Sequence, residues 1–186
     1  IVSTLAAITG ILGVFYQMGQ IGSWGRFYYD YQDNKKELKE YLGTIIIFIF
    51  VFVLTCTILL SLSGNDFFKV FIKDVPFKPY IQIALWTAFF GLLIQFWMTL
   101  FQVRQKSAVY GAISVGQFLV TTLLMIYFVV YLHQGALGMV KASFFAALLF
   151  FAASLFGLRK EIALKVNLTK LKESLSYGLP LVPHSL

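Results

Sequence analysis

The sequence predicts an all-α fold, a polytopic bundle of helices that cross a membrane. Apolar residues make up 59% of the chain and charged residues only 12%, whereas soluble domains are about half apolar and a quarter charged. The mean hydropathy is +0.81. Several apolar windows reach the ~20 residues that a helix needs to cross a bilayer core. Their apolarity is continuous rather than alternating, which favours helices over the strands of a membrane barrel.

Five apolar windows bounded by charged residues predict five complete membrane-spanning helices. They cover residues 2–22, 42–62, 80–101, 109–132 and 136–158, and a sixth begins near Leu175 and is cut off at Leu186. The first residue is Ile1 rather than methionine, and the opening stretch lacks the features of a signal peptide. We therefore interpret the chain as a fragment of a larger protein, with one helix missing before the first window.

The predicted organisation has three parts. Residues 1–158 form an N-terminal bundle, residues 159–173 a cytoplasmic linker, and residues 174–186 the start of a second bundle. Four leucines of the linker region fall on one helical stripe, with lysines mostly elsewhere: Leu164, Leu168, Leu171 and Leu175. This pattern predicts a basic amphipathic helix that lies on the inner leaflet and joins the two bundles.

The basic residues predict the orientation, because they are enriched on the cytoplasmic side of membrane proteins. One side receives three connections, at residues 26–41, 104–108 and 159–173. The other side receives only Lys69, Lys73 and Lys78, in an external loop at 63–79. The first side carries eleven basic residues: Arg26, Lys35, Lys36, Lys39, Arg104, Lys106, Arg159, Lys160, Lys165, Lys170 and Lys172. We expect this side to be cytoplasmic, in a multi-pass protein of the cell inner membrane.

Two local features refine this picture. Asn34 and Glu37 have the spacing of a capping box, which predicts a helical turn in the first basic connection. Pro180 and Pro183 each remove a backbone donor, so we expect the helix beginning near Leu175 to be kinked or broken there and to flex during function.

The sequence contains no constellation of residues for catalysis. It has no metal-ligand cluster, no glycine-rich phosphate loop and no paired carboxylates within a predicted span, so we expect neither enzyme activity nor a cofactor. The single cysteine, Cys56, excludes a disulfide within the chain. The basic residues follow the membrane-sidedness pattern, which argues against nucleic acid as a partner.

Polar residues within the spans are the candidate site residues, because charge in hydrocarbon usually faces a cavity or a partner. Lys141 lies inside the fifth window, although it could also snorkel to the headgroups. Arg26 follows a span that carries Gln17 and Gln20, and the three could form a polar track; a cytoplasmic anchor is the alternative. Gln117, like Gln95, is a mid-span amide that could instead hydrogen-bond between helices. The predicted substrate-binding residues are Arg26, Lys141, Gln20 and Gln117.

Three segments of the chain resemble the Wzx-type polysaccharide flippases of the multidrug/oligosaccharidyl-lipid/polysaccharide exporter superfamily. They are GQIGSWGRFYYDYQDNKKELKEYLGTIIIF, FQVRQKSAVYGAISVGQFLVTTLLMIYFVVYLHQGALGMVKASFFAALL and LKESLSYGLPLVPHSL. The most specific pieces are the arginine and tyrosines after the first window, the GALGMVKA turn and the YGLPLVP opening of the sixth. The similarity covers nearly the whole chain.

The resemblance implies a transporter of twelve to fourteen helices in two bundles. Such a protein moves undecaprenyl-pyrophosphate-linked oligosaccharide from the inner to the outer leaflet by alternating access. Residues 1–158 would be its second to sixth helices. Its partners would be the lipid-linked oligosaccharide, the lipid bilayer and other polysaccharide assembly proteins. The pyrophosphate carries negative charge, so we expect Arg26 or Lys141 to face the central cavity and pair with phosphate.

Two other classes of protein remain open. A cation-coupled multidrug exporter would share the fold, and an acidic residue within a span would favour it. A membrane glycan polymerase would need a large external loop with catalytic arginines or histidines, which the segment at 63–79 does not supply.

Overall fold

A computed structural model of the chain describes residues 2–71 and 75–183. These residues form helices and no strands, which confirms the predicted all-α class. The elements are α1 Val2–Gln17, α2 Gln20–Tyr31, α3 Lys35–Phe71, a π-helical turn Phe77–Ile81, α4 Gln82–Val103, α5 Ser107–Met125 with a π-helical turn Ile126–Tyr131, α6 Gly135–Leu158, α7 Leu168–Gly178 and a 3₁₀ turn Leu179–Leu181.

Five stretches of helix are long and apolar enough to cross a membrane. They are Ser3–Tyr31, Lys35–Gly64, Phe77–Val103, Ser107–Tyr131 and Gly135–Leu158. Each contains one predicted window or most of it, so the number and order of the predicted spans agree with the structure. The described residues end at 183, so the predicted sixth span lies partly outside them.

The first span differs from the prediction because it is two helices rather than one. α1 ends at Gln17, and Met18 and Gly19 take positive φ angles of 47° and 67° before α2 begins. The backbone of Gly178 in α7 packs directly against Gly19, where a Cβ atom would overlap the Gly178 carbonyl. Arg26 therefore lies in the middle of α2 rather than at the end of a span.

The second span is longer than predicted, because α3 extends beyond the apolar window at both ends. Asn34 caps its start: its Oδ1 accepts from the N–H groups of Lys36 and Glu37 at 3.2 and 3.4 Å. The predicted capping turn is thus present, although the Glu37 carboxylate accepts from the Asn34 side-chain amide at 2.9 Å. The segment predicted as an external loop at 63–79 is helical up to Phe71 and again from Phe77.

Three acidic residues of the predicted connection at 26–41 lie within helices. Asp30 lies near the end of α2, and Glu37 and Glu40 lie in the first turns of α3. All three are close to helix ends, where the chain can leave the hydrocarbon. Hydropathy windows report only the apolar part of a helix, which explains why these polar turns fall outside the predicted windows.

The predicted amphipathic helix is shorter than expected and packs against other helices of the bundle. The helix α7 begins only at Leu168, where the Asn167 Oδ1 caps it by accepting from the N–H groups of Thr169 and Lys170. α7 packs on α2 and α3, with Ser174 and Gly178 buried against them. Protein contacts therefore hold one face of α7, and its location on the inner leaflet remains a prediction. The predicted interruption at the prolines is seen as the change to a 3₁₀ turn at Leu179–Leu181.

The core of the bundle is built around α4, which contacts α1, α2, α3 and α6. Trp24 and Phe96 are fully buried and meet edge to face with ring centroids 5.0 Å apart. Such an aromatic pair is worth about 1 kcal/mol beyond the area it buries. Because α4 is fixed on several sides, the side chains it presents elsewhere have a defined position.

The three basic connections meet at one end of the bundle, here called the basic end. The Arg104 guanidinium bonds both carboxylate oxygens of Glu161 at 2.8 and 2.6 Å. Lys170 Nζ lies 3.8 Å from Glu37, and the Ala163 N–H donates to the Lys39 carbonyl at 2.9 Å. The charge asymmetry thus corresponds to one physical end of the structure.

The cytoplasmic location of the basic end is a prediction that cysteine labelling tests. With Cys56 replaced by serine in the full-length protein, Asn34→Cys lies at the basic end and His133→Cys at the opposite end. In intact cells a membrane-impermeant maleimide is expected to label position 133 and not position 34. Labelling of position 34 alone would show that the orientation is inverted.

The ion pair between Arg104 and Glu161 predicts a pH-dependent contribution to stability. The Arg104 guanidinium lowers the pKa of the Glu161 carboxyl below its ordinary value of 4.5. The pair therefore stabilises the fold at neutral pH, and this contribution is lost as the pH falls through the lowered pKa. Because both side chains are partly exposed, we expect about 1 kcal/mol.

The measurement compares melting temperatures in detergent at pH 7 and below the ordinary pKa of glutamate. Glu161→Gln is expected to melt below the wild-type protein at neutral pH, with the difference shrinking in acid. The control is Asp33→Asn, an exposed acid at the same end. A difference that stays constant with pH would contradict the role of the ion pair.

Candidate functional site

A groove of about 620 Å³ runs along the bundle between α1, α4 and α5. It is open on one side and lies within the apolar length of all three helices. Its lining combines apolar residues, both small and large, with uncharged polar ones. The polar residues of the groove are Thr9, Gln17, Gln95, Tyr110, Ser114, Gln117 and Thr121.

Two amides join the helices on either side of the groove. The Gln17 Nε2 on α1 donates to the Gln95 Oε1 on α4. Gln95 is exposed, whereas its neighbours Ile94 and Phe96 are buried in the core. A polar amide facing hydrocarbon without partners would be costly, so its position facing a groove is the expected one. The remaining donor and acceptor positions of both amides are open to a ligand.

The third wall is a polar stripe on α5. Tyr110, Ser114, Gln117 and Thr121 are spaced by four, three and four residues, which places them on one face of a helix. No described side chain of α5 is buried, whereas α4 buries several, so α5 lies at the outside of the described bundle. Its other face is apolar and exposed, with Val115 as an example. α5 therefore presents hydroxyls and an amide to the groove and exposes apolar side chains on its other face.

Small residues create the volume of the groove. Gly13, Ala88 and Gly91 line it, and a Cβ atom added at either glycine would meet no atom within 4 Å. A ligand could therefore approach the backbone of α1 and α4 without displacing side chains. The groove is thus open space flanked by hydrogen-bonding groups.

A second, apolar pocket of about 310 Å³ adjoins the groove. Thr9 and Ala88 line both, so the two pockets are adjacent. The apolar part includes Leu5, Met125 and Met139 and lies toward the end opposite the basic end. Flexible methionine side chains adapt to ligands of irregular shape. A polar groove and an apolar pocket thus lie side by side.

The predicted site residue Gln117 lines the groove, and Gln20 does not. Gln20 is fully buried between α2 and α7, where its Oε1 accepts from the Ser174 hydroxyl at 2.7 Å. The Ser23 hydroxyl donates to the Ser174 carbonyl at 3.0 Å, and the Tyr41 and Ser174 hydroxyls are 3.1 Å apart. This buried network joins three helices, so in this structure Gln20 contributes to helix packing. A role for it in substrate binding remains a prediction.

Arg26 lies outside the groove, at the surface of α2. Its guanidinium carbon stands 4.5 Å from the centre of the Tyr177 ring, in a shallow cleft that also includes Lys172 and Glu173. This is a cation–π contact between α2 and α7. The structure therefore does not bring Arg26 together with Gln117.

Lys141 also lies outside the groove, near the start of α6. Its Nζ donates to the Gln134 Oε1 at 3.0 Å, and its side chain is half-buried. Gln134 belongs to the connection before α6, so the ammonium group points toward a helix end, as a snorkelling lysine does. Pairing of Lys141 or Arg26 with phosphate remains a prediction without support from the groove.

Sequence reasoning singled out Gln17 and Gln95 but not their convergence, and it missed Tyr110, Ser114 and Thr121. The signal for the last three was available in the polar spacing along α5. The expected cationic cavity drew attention to charged residues instead. Among the residues that the structure describes, those lining the groove carry neither a carboxylate nor an ammonium group.

Comparisons with known proteins identify no relative of this chain. No protein-family model matches the chain, and neither a curated protein nor a solved structure is significantly similar to it.

Proposed function

We propose that the chain is part of a flippase that moves a lipid-linked oligosaccharide across the cytoplasmic membrane by alternating access. The observation that carries the proposal is the amide- and hydroxyl-lined groove between α1, α4 and α5. The resemblance of the sequence to Wzx-type flippases points to the same substrate class, an undecaprenyl-pyrophosphate-linked repeat unit. The proposed surroundings are the bacterial inner membrane and other proteins of polysaccharide assembly.

The chemistry of the groove favours a saccharide. Amide and hydroxyl groups both donate and accept hydrogen bonds, and so do the hydroxyls of sugars. Gln95 and Gln117 offer such groups from facing helices, and Tyr110 adds an aromatic ring. Within a membrane, such a lining would replace the water that the sugar leaves behind.

The adjoining apolar pocket supports a substrate with two chemical halves. Its residues, among them Leu5 and Met139, fit a hydrocarbon chain, while the groove fits a polar head. The pyrophosphate between the two halves needs a cation that the groove lining does not supply. The proposal therefore assigns the groove to the sugar and leaves the phosphate to residues elsewhere in the protein.

The alternative of a cation-coupled multidrug exporter receives less support. A carboxylate facing the cavity would favour it, and of the described residues that line the groove none is acidic. For a glycan polymerase, an enzyme, no specific observation speaks in favour. A transport protein without enzyme activity is the proposal that the geometry supports best.

A translocation assay tests the proposal. The full-length protein is reconstituted in liposomes that contain a fluorescent lipid-linked oligosaccharide, and a membrane-impermeant glycosidase reports which leaflet the sugar occupies. We expect sugar in the protected leaflet to become accessible faster than in protein-free liposomes. Equal rates with and without a correctly folded protein would refute a flippase function.

A further inference from the structure

The basic end contains a concave site that the groove does not explain. A pocket of about 320 Å³ is formed by the start of α3 and by the residues at or just after the ends of α2, α4 and α6. Four basic residues line it, from three separate segments: Lys35, Lys39, Arg104 and Lys160. We call it the basic pocket.

The charge of the basic pocket is largely uncompensated. Glu161 is its single acidic lining residue among those described, and both of its carboxylate oxygens already bond Arg104. No described carboxylate lies within 4.0 Å of the ammonium groups of Lys35, Lys39 or Lys160. The ion pairs of the described residues involve Arg104 and Lys170 instead. Three ammonium groups thus line one cavity without a described carboxylate partner.

The floor of the pocket is fixed. Arg104 is held by Glu161 and also donates from Nε to the Tyr28 hydroxyl at 3.2 Å. Leu38 is buried beneath the lysines, on the first turns of α3. The N-terminus of a long helix adds a partial positive charge at this point. The pocket therefore combines exposed lysine side chains with an arginine that two partners hold in place.

We propose that the basic pocket binds the phosphate group of an anionic phospholipid headgroup in the adjacent leaflet. The pocket lies at the ends of four helical stretches that are long and apolar enough to cross a membrane, which is where lipid headgroups are expected. Basic pockets between transmembrane helices at this level suit such headgroups, with about 1 kcal/mol from each lysine near the surface. The site is separate from the groove and does not depend on the proposed transport activity.

Lipid retention measured by native mass spectrometry tests the site. The full-length protein in detergent is titrated with phosphatidylglycerol, with phosphatidylcholine of the same chain length as the neutral comparison. The pocket variant carries Lys35→Gln, Lys39→Gln and Lys160→Gln. The control variant removes the same charge at the same end but outside the pocket, through Lys36→Gln, Lys165→Gln and Lys172→Gln.

The pocket variant is expected to bind phosphatidylglycerol at least about tenfold more weakly than the wild-type protein, and the control variant less than about twofold. Phosphatidylcholine binding should not change in either. A third variant with arginine at positions 35, 39 and 160 keeps the charge and should restore binding, which separates loss of the site from loss of the fold.

Two results would overturn the proposal. Equal weakening in the pocket and control variants would show general electrostatic attraction without a site. Displacement of phosphatidylglycerol by an equal concentration of inorganic phosphate would show that the pocket takes soluble phosphate rather than a lipid headgroup.

Discussion

Replacing Gln95 and Gln117 by leucine in the full-length protein is expected to slow oligosaccharide translocation by about tenfold for each substitution. Each change removes an amide that the groove offers to sugar hydroxyls, and an unmade hydrogen bond in a dry site costs about 1–3 kcal/mol. Leucine has nearly the same volume as glutamine, so the shape of the groove is kept. The double variant should lose more than either single variant.

The matched control for these substitutions is Gln102→Leu, on the same helix as Gln95. Gln102 is exposed near the end of α4 and does not line the groove. Translocation by this variant should match that of the wild-type protein at equal protein levels. If the groove variants also transported at the wild-type rate, the groove amides would have no part in substrate binding.

Replacing Gly19 by alanine is expected to destabilise the protein by about 2–4 kcal/mol. Gly19 has a φ angle of 67°, which a residue with a side chain adopts at a cost. An added methyl group would also overlap the Gly178 carbonyl of α7. The break between α1 and α2 and the packing of α7 would both be disturbed.

Thermal unfolding in detergent measures this effect, with Gly10→Ala as the control. Gly10 lies in α1, and a Cβ atom there would meet nothing within 4 Å. In a helix interior alanine is favoured over glycine by about 1 kcal/mol, so the control should melt at or above the wild-type temperature. Equal melting of the Gly19 variant and the wild-type protein would show that α7 is not held at this contact.

The sequence was sufficient for the class of fold and the number of spans, because the thickness of a bilayer imposes a length on apolar helices. The sequence was not sufficient to place the ends of these helices. Lys35 and Glu40 belong to α3 although they are charged, since a helix can continue into water beyond the hydrocarbon. The break at Gly19 was missed for a different reason: it depends on contact with Gly178, which is distant in sequence.

The candidate site was only partly predictable. Gln117 and Gln95 stand out as amides in apolar windows, but their convergence depends on how α4 and α5 pack. The weight given to Arg26 and Lys141 followed from the cost of charge in hydrocarbon. In the structure Arg26 contacts the Tyr177 ring and Lys141 donates to Gln134. Both charged groups therefore have partners outside the groove.

The central claim is that the sugar of a lipid-linked oligosaccharide occupies the groove, and photocrosslinking tests it most directly. A photoreactive amino acid is placed at Ser114, which lines the groove, or at Val115, on the exposed apolar face of the same helix. Illumination of the full-length protein with a substrate radiolabelled in its sugar is expected to label the protein from position 114 and not from position 115. Equal labelling from both positions, or labelling from 115 alone, would contradict the claim.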